Sequence, residues 1–253
     1  MKTKKGFTLV ELSIVLVIIG LLIGGVLVAQ SLIETAQIQK TIRQIQQVHI
    51  LASQFKEKTR YLPGDLPNAY TMFSGACGIN AIPTSSQNSG RCNGNGDGNI
   101  DWGGVVMEYY IFWEHLYLMG MLDTPFTGDG YTLGSLANQG MPGVNIMKLP
   151  FKRNGQSHGN LGGLSAAYGS GGSDNYSLHI SAGFSSGGCS PQCDGIFYSG
   201  EAMPYDIKID DGVEATGKVQ AYRVGGTWGN CDYSNTTQTS CTLRFYQPDE
   251  YIK

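Results

Sequence analysis

Charge is scarce in this chain: Asp, Glu, Lys and Arg together make up 15% of its 253 residues. Seventeen Lys and Arg stand against twenty Asp and Glu, for a net charge of −3. After residue 60 no basic stripe or arginine cluster appears. Nucleic-acid binding rests first on neutralising phosphates, so no nucleic-acid partner is expected. The spacings of enzyme chemistry are also missing. Ser165, Ser181, His158 and His179 occur without an H-E-x-x-H or a P-loop lysine motif, and no nucleophile elbow is expected to serve them. A triad is defined by geometry and not by order, so a Ser/His/Asp site could still form in space, but an enzyme is not expected. There is no internal repeat, and long apolar runs are absent from all but the N-terminus.

That one run is decisive. Residues Phe7 to Ala29 read FTLVELSIVLVIIGLLIGGVLVA, with Glu11 as the single acid. At ~1.5 Å per residue this makes a helix somewhat longer than the ~30 Å hydrocarbon core of a bilayer. Lys2, Lys4 and Lys5 precede it with no acid among them, which keeps the N-terminus cytoplasmic and sends the bulk across. The stretch is too long for an ordinary secretory signal, and no A-x-A site follows it. A carboxylate inside such a helix costs ~2.5–3.5 kcal/mol on insertion scales, so Glu11 is a functional candidate by default.

The segment KKGFTLVELSIVLVIIG resembles the class III signal of type IV pilins and of the pseudopilins of type II secretion. The resemblance runs from about Lys4 to Ile33. It implies cleavage after Gly6 by a prepilin peptidase that also N-methylates the new first residue, Phe7. It further implies that Glu11 supports assembly with other pilin or pseudopilin subunits at an inner-membrane platform. The implied fold is α+β: a long N-terminal membrane-spanning helix packed on a globular head with a C-terminal antiparallel sheet. The implied location is the inner membrane, single-pass, with a periplasmic head that becomes extracellular in a pilus. One residue departs from the pattern, since many relatives have proline where this chain has Val28. Gly20, Gly24 and Gly25 are then the only helix weakeners in the apolar part, and glycines are common in membrane helices because they permit close approach.

The chemistry behind that resemblance can be rebuilt from the residues. Cutting after Gly6 removes three lysines and no acid, leaving a net charge of −6. It also frees an α-amine at Phe7, one helical turn from Glu11. Opposite charges attract far more strongly in a low-dielectric medium than in water, and neither is tolerated there alone. Pairing Glu11 of one subunit with the Phe7 amine of the next would set the axial register of a helical filament.

Past the membrane the helix should continue. Ile38, Ile42, Ile45, Val48, Leu51 and Phe55 recur at three- and four-residue spacing among Gln, Lys, Arg and Thr. Tyr61-Leu62-Pro63-Gly64-Asp65-Leu66-Pro67 then ends it. His49, beside the stripe, reads as a packing or surface residue and not as a ligand. The organisation is thus a leader at 1–6, a membrane-spanning helix at 7–33, its amphipathic extension at 34–60 and an exported head at 61–253.

All six cysteines lie in the exported part, which favours disulfides. Six cysteines allow fifteen pairings. Neighbour pairing, Cys77–Cys92, Cys189–Cys193 and Cys231–Cys241, is the simplest, because each pair brackets a Gly/Ser/Asn-rich loop that a staple would pin. A cysteine metal site is the alternative, lacking a second C-x-x-C and nearby histidines.

In the head, Gly75 to Asp101 reads as a polar loop. Val105, Tyr109, Phe112, Leu116 and Met119 mark a second amphipathic helix ending near Gly120, and its aromatics read as core. Asn154 to Asp174 reads as a long surface loop. Strands are expected at Tyr176–Ala182, Gly195–Ser199, Tyr205–Ile209, Lys218–Val224 and Thr242–Tyr246. Helix first and antiparallel strands afterwards is an α+β order.

One loop follows a metal pattern. Asn93, Asn95, Asp97 and Asp101 offer side-chain oxygens, Asn99 its carbonyl, Gly98 the sixth position and Ile100 the apolar eighth of a twelve-residue calcium loop. The closing position is Gly104, where a bidentate Glu is usual, and Glu108 could substitute. Any calcium here would bind weakly, at ~10⁻⁴–10⁻³ M. Asn-Gly and Asp-Gly turns account for the same residues through backbone preference alone. Asp206, Asp210 and Asp211 form a second acidic segment, which alternates like a strand entering a turn. A final reading gives the head a recognition role: a minor or tip subunit whose loops at Cys77–Cys92 or Cys189–Cys193 bind a secreted substrate, a surface or a partner.

Overall fold

The computed structural model describes residues 6, 8–77, 92–100, 108–128, 141–152, 161–168, 176–181, 195–223, 229–235 and 241–246. Cys189, Cys193, Phe7 and Asp101 therefore lie outside the described residues. The chain divides into two compact units, Met1–Lys40 and Thr41–Lys253.

Helix α1 spans Leu9–Thr59 without a break, about 75 Å at the standard rise. It is the single long helix that the apolar run and the following stripe require. Lys56 and Lys58 lie in its last turn, where cations oppose the helix dipole. Thr59 Oγ1 caps back onto the Phe55 carbonyl at 2.9 Å. Arg60 leaves the helix at φ 71°, the left-handed exit usual at a helix C-terminus. In the second unit the buried side of α1 is Thr41, Ile45, Val48, His49, Ala52 and Phe55, while Ile42 and Leu51 flank it half-buried.

The one-turn helix α2 (Ala69–Met72) follows the Pro-Gly-Asp-Leu-Pro corner. Helix α3 (Glu108–Leu118) departs from the amphipathic expectation: every residue from Glu108 to Leu116 is buried. A helix apolar or buried all round is a core helix. It ends as the sequence implies, with Gly120 at φ 71° and the Met121 N–H on the Leu116 carbonyl at 2.9 Å.

Six antiparallel strands form one sheet: β1 (Met147–Lys152), β2 (Leu161–Tyr168), β3 (Tyr176–Ser181), β4 (Val219–Arg223), β5 (Gly229–Asn230) and β6 (Cys241–Tyr246). Their order is β1-β2-β3-β6-β4-β5, so the last strand in sequence sits centrally. Register gives one apolar layer: Leu164 faces Ile180, Ile180 faces Leu243 and Leu243 faces Ala221. Leu178 faces Ala166 and Phe245, and Phe245 faces Val219. The period-2 alternation places Ser165, His179, Arg244 and Gln220 on the opposite face.

Three expectations are corrected. The stretch Asn154–Asp174 is not a surface loop throughout, because Leu161–Tyr168 is strand β2. Its small residues hide it: a Cβ at Gly163 would lie 2.5 Å from Ile146 Cδ1, so the position has no room for the side chain that would reveal a strand. Tyr205–Ile209 is not a strand but part of helix α4 (Ser199–Ile209). There Ala202, Tyr205 and Asp206 are buried while Ile207 is exposed, so the apolar alternation pointed to the wrong face. Of Gly195–Ser199, only Phe197 joins the sheet, through a single bridge to Cys241.

Candidate functional site

The N-terminus of α1 is built from Thr8 and Glu11. The Thr8 N–H and Thr8 hydroxyl both donate to Glu11 Oε2 at 2.8 Å, and the Glu11 N–H donates to Thr8 Oγ1 at 3.3 Å. This reciprocal arrangement is the capping box that a T-x-x-E sequence offers a helix start. It holds the carboxylate against the positive end of the helix, with Oε2 taken by its own chain. Leu9 to Ile33 remain exposed along the whole stretch. A helix this long and apolar is suited to crossing a membrane, with a mean hydropathy of 3.0 over its most apolar window. Gly6, the residue before the expected cut, is exposed.

In the head, the Asn/Gly loop is organised by a residue the sequence reading treated only as a helix stop. Asp65 is fully buried. Its Oδ1 accepts the Gly96 N–H at 2.6 Å and the Asp97 N–H at 3.1 Å, and its Oδ2 accepts the Gly98 N–H at 3.0 Å. Burial pushes the Asp65 carboxyl up despite these donors, and the neighbouring Asp97 charge adds to the rise. Gly96 and Gly98 hold φ 78° and 93°, which L side chains resist. Gly94 passes so close that a Cβ would strike the Gly64–Asp65 backbone.

The proposed calcium ligands meet at this loop with their oxygens engaged. Asn93 Oδ1 accepts the Tyr70 N–H at 2.8 Å, Asn95 Oδ1 the Asp97 N–H at 2.9 Å and Asp97 Oδ1 the Asn99 N–H at 2.8 Å. Buried Glu108 accepts the Asn95 N–H through Oε1 at 2.9 Å. Asp101 falls outside the described residues.

His115 ties this corner to the core. Its Nδ1 accepts the Gly64 N–H at 2.9 Å, and its Nε2 lies 2.8 Å from the Cys92 carbonyl, which fixes Nε2 as the protonated nitrogen. Its ring stacks on Phe55 at 5.9 Å. Burial lowers its pKa to about 4, so it is a neutral structural group. His49 is similar: buried, 3.1 Å from the Tyr176 hydroxyl, and lowered by burial to about 4. Neither sits among acidic or cysteine ligands, and among the described residues the one cluster with metal-like spacing is elsewhere.

That cluster is Asp206, Asp210 and Asp211, with oxygens within 4.8 Å of one another. It sits at the C-terminus of α4, not on the strand the alternation suggested. Asp206 accepts the Tyr233 hydroxyl at 2.8 Å and the Gly212 N–H at 3.2 Å. Burial pushes Asp206 up to about 6, against those two donors. Asp210 accepts the N–H groups of Lys218 and Val219, and Asp211 accepts from Val213 and Thr216.

Among the described residues two disulfides staple the head: Cys77–Cys92, with Cα atoms 5.8 Å apart, and Cys231–Cys241, at 5.9 Å. The first ends at Cys92, whose carbonyl lies against His115 Nε2, and the second ties the chain after β5 to the central strand β6. As for hydrolytic chemistry, Gly155-Gln156-Ser157-His158-Gly159 and Gly183-Phe184-Ser185-Ser186-Gly187 do spell G-x-S-x-G. Both pentads lie outside the described residues.

Residues 1–27 match the family model of the prokaryotic N-terminal methylation motif. The match marks a class III prepilin-type signal and supports a place in the type IV pilin and pseudopilin family. No curated protein and no solved structure matches the chain.

Proposed function

We propose that this chain is a filament subunit of the type IV pilus or type II secretion pseudopilus class. The methylation-motif match at residues 1–27, ending in an exposed apolar helix, is the observation that carries this reading. A prepilin peptidase removes residues 1–6, and Phe7 becomes the methylated first residue. The helix then holds the subunit in the inner membrane until neighbouring helices cover its apolar surface. The Phe7 amine of an adjoining subunit competes with Thr8 for the Glu11 carboxylate and sets the register.

Glu11→Leu tests the assembly step. It should leave cleavage after Gly6 intact and abolish incorporation into filaments. Wild-type filament content in that variant would refute the assembly role.

The Asn93–Asp101 loop is proposed as a weak calcium site, because two further buried carboxylates adjoin it, Asp65 at the Asp97 N–H and Glu108 at the Asn95 N–H. Millimolar calcium should then raise the melting temperature of the chain in detergent. An unchanged melting temperature would leave the loop as a cradle for Asp65 alone.

A further inference from the structure

The loop from Asn93 to Gly98 carries three consecutive dipeptides of one chemical kind: Asn93-Gly94, Asn95-Gly96 and Asp97-Gly98. In such a pair the glycine nitrogen can attack the preceding side-chain carbonyl carbon and close a five-membered imide, because glycine has no side chain to hinder it. Backbone geometry asks for glycine here all the same. Gly96 and Gly98 hold φ 78° and 93°, a region glycine enters without penalty, and a Cβ on Gly94 would strike the Gly64–Asp65 backbone. Water is not excluded, since Asn95 and Asp97 are exposed. Each attacking nitrogen is nevertheless engaged. The Gly94 N–H donates to the Leu66 carbonyl at 2.9 Å, the Gly96 N–H to Asp65 Oδ1 at 2.6 Å and the Gly98 N–H to Asp65 Oδ2 at 3.0 Å. The side-chain oxygens of Asn93, Asn95 and Asp97 meanwhile accept from the amides of Tyr70, Asp97 and Asn99.

We propose that Asn95 and Asp97 are latent modification sites, for deamidation and for isoaspartate formation respectively, which Asp65 suppresses by holding the Gly96 and Gly98 nitrogens. At Asn95 the bond from Gly96 N to Cγ forms, the Cγ–Nδ2 bond breaks, and ammonia leaves with the amide proton. Water then opens the imide at either carbonyl, giving Asp or isoaspartate. From the carboxylic acid form of Asp97 the leaving group is water, which ring opening returns, so that residue isomerises without a change of mass. Attack needs the amide proton to leave nitrogen. A hydrogen bond to a carboxylate is charge-assisted and holds that proton in place, so cyclisation waits for the loop to open locally. The modification would also unseat the loop. Asn95 Nδ2 donates to Asp97 Oδ2 at 3.1 Å, and a carboxylate at position 95 replaces that donor with a like charge. Asn93 is an internal reference, because a different group, the Leu66 carbonyl, holds the nitrogen that would attack it.

The test ages the full chain in detergent without added calcium, folded and in urea, and follows Asp and isoaspartate at each position by chromatographically resolved peptide mass spectrometry. Products at Asn95 and Asp97 should form at least about tenfold more slowly in the folded chain, the factor that a local-opening cost of about 1.4 kcal/mol provides. Asp65→Ala should remove most of that protection at both positions and leave Asn93 protected. Asp65→Asn keeps the shape of the side chain but has one oxygen for the two glycine amides. It should lose protection at Asn95 or Asp97 while Asn93 stays slow, and it decides the matter if Asp65→Ala does not fold. A merely structural role for Asp65 would raise all three sites together. That pattern in Asp65→Asn, unchanged rates in both variants, or equal rates in the folded and urea-treated parent chain would overturn the proposal.

Discussion

Two helices in this molecule are rich in large apolar residues, and they solve the problem of burial in opposite ways. From Leu9 to Ile33, α1 exposes every side chain and carries one carboxylate, satisfied locally by Thr8. From Glu108 to Leu116, α3 exposes none, yet it carries two carboxylates and a histidine. Two of these are tied to distant backbone: Glu108 to Asn95, and His115 to Gly64 and Cys92. The apolar surface of the first helix is left uncovered by its own chain, whereas that of the second is buried within the head.

Truncation should separate the two most sharply. Trp113→Ala removes a fully buried ring and should cost about 3–5 kcal/mol of head stability, measured by denaturant unfolding in detergent. Leu16→Ala, at an exposed position of α1, should change the same quantity by less than about 0.5 kcal/mol. Equal effects would break the distinction.

Asp65→Ala comes next. It strands the N–H groups of Gly96, Asp97 and Gly98 and should cost about 1–3 kcal/mol. Hydrogen exchange at these amides should rise before that of the sheet, and unchanged protection would remove Asp65 from its organising role.

A pH comparison sharpens the account further. Asp206 is raised in the folded state to about 6, so its protonated form favours folding, and that contribution is lost as pH rises through about 6. Asp206→Asn keeps the neutral form at all pH. Its stability relative to the parent chain should move in the variant's favour between pH 5 and pH 7.5, and a difference independent of pH would contradict the shift. His49 and His115 act in the opposite sense. Their folded values of about 4 give stability that is present above about 6.5 and is lost as pH falls through 4.

The smallest expected effect is at the cap. Thr8→Val removes the hydroxyl and should loosen the first turn of α1 by about 1 kcal/mol, seen as faster amide exchange at Leu9–Leu12, while Thr8→Ser should retain the wild-type rate.

How much of this was legible in the sequence follows the same division. The apolar run, the lysines before it, Gly6 and Glu11 make one local pattern, matched by the methylation-motif model at residues 1–27, so order along the chain exposed them as candidates. The long helix was legible for the same reason: Ile45, Val48 and Phe55 repeat with its period and are buried. Strands β3, β4 and β6 were visible because Leu178, Ile180, Leu243 and Phe245 alternate. Asp65 was not, since a lone Asp in a Pro-Gly-Asp-Leu-Pro turn looks like an ordinary helix stop, and its role depends on amides some thirty residues away. Helix α4 was misread because its inward side includes Asp206 and its outward side Ile207, the reverse of the usual hydrophobic rule. Strand β2 was hidden because Gly162, Gly163, Ser165 and Ala166 are small, and the demand for small residues comes from neighbours such as Ile146.

The most direct test of the central claim is mass spectrometry of sheared filaments and membranes from cells with and without prepilin peptidase. The account predicts a chain beginning at N-methylated Phe7 within a filament fraction, dependent on the peptidase. A chain that keeps residues 1–6, or that never leaves the membrane as part of an assembly, would contradict it.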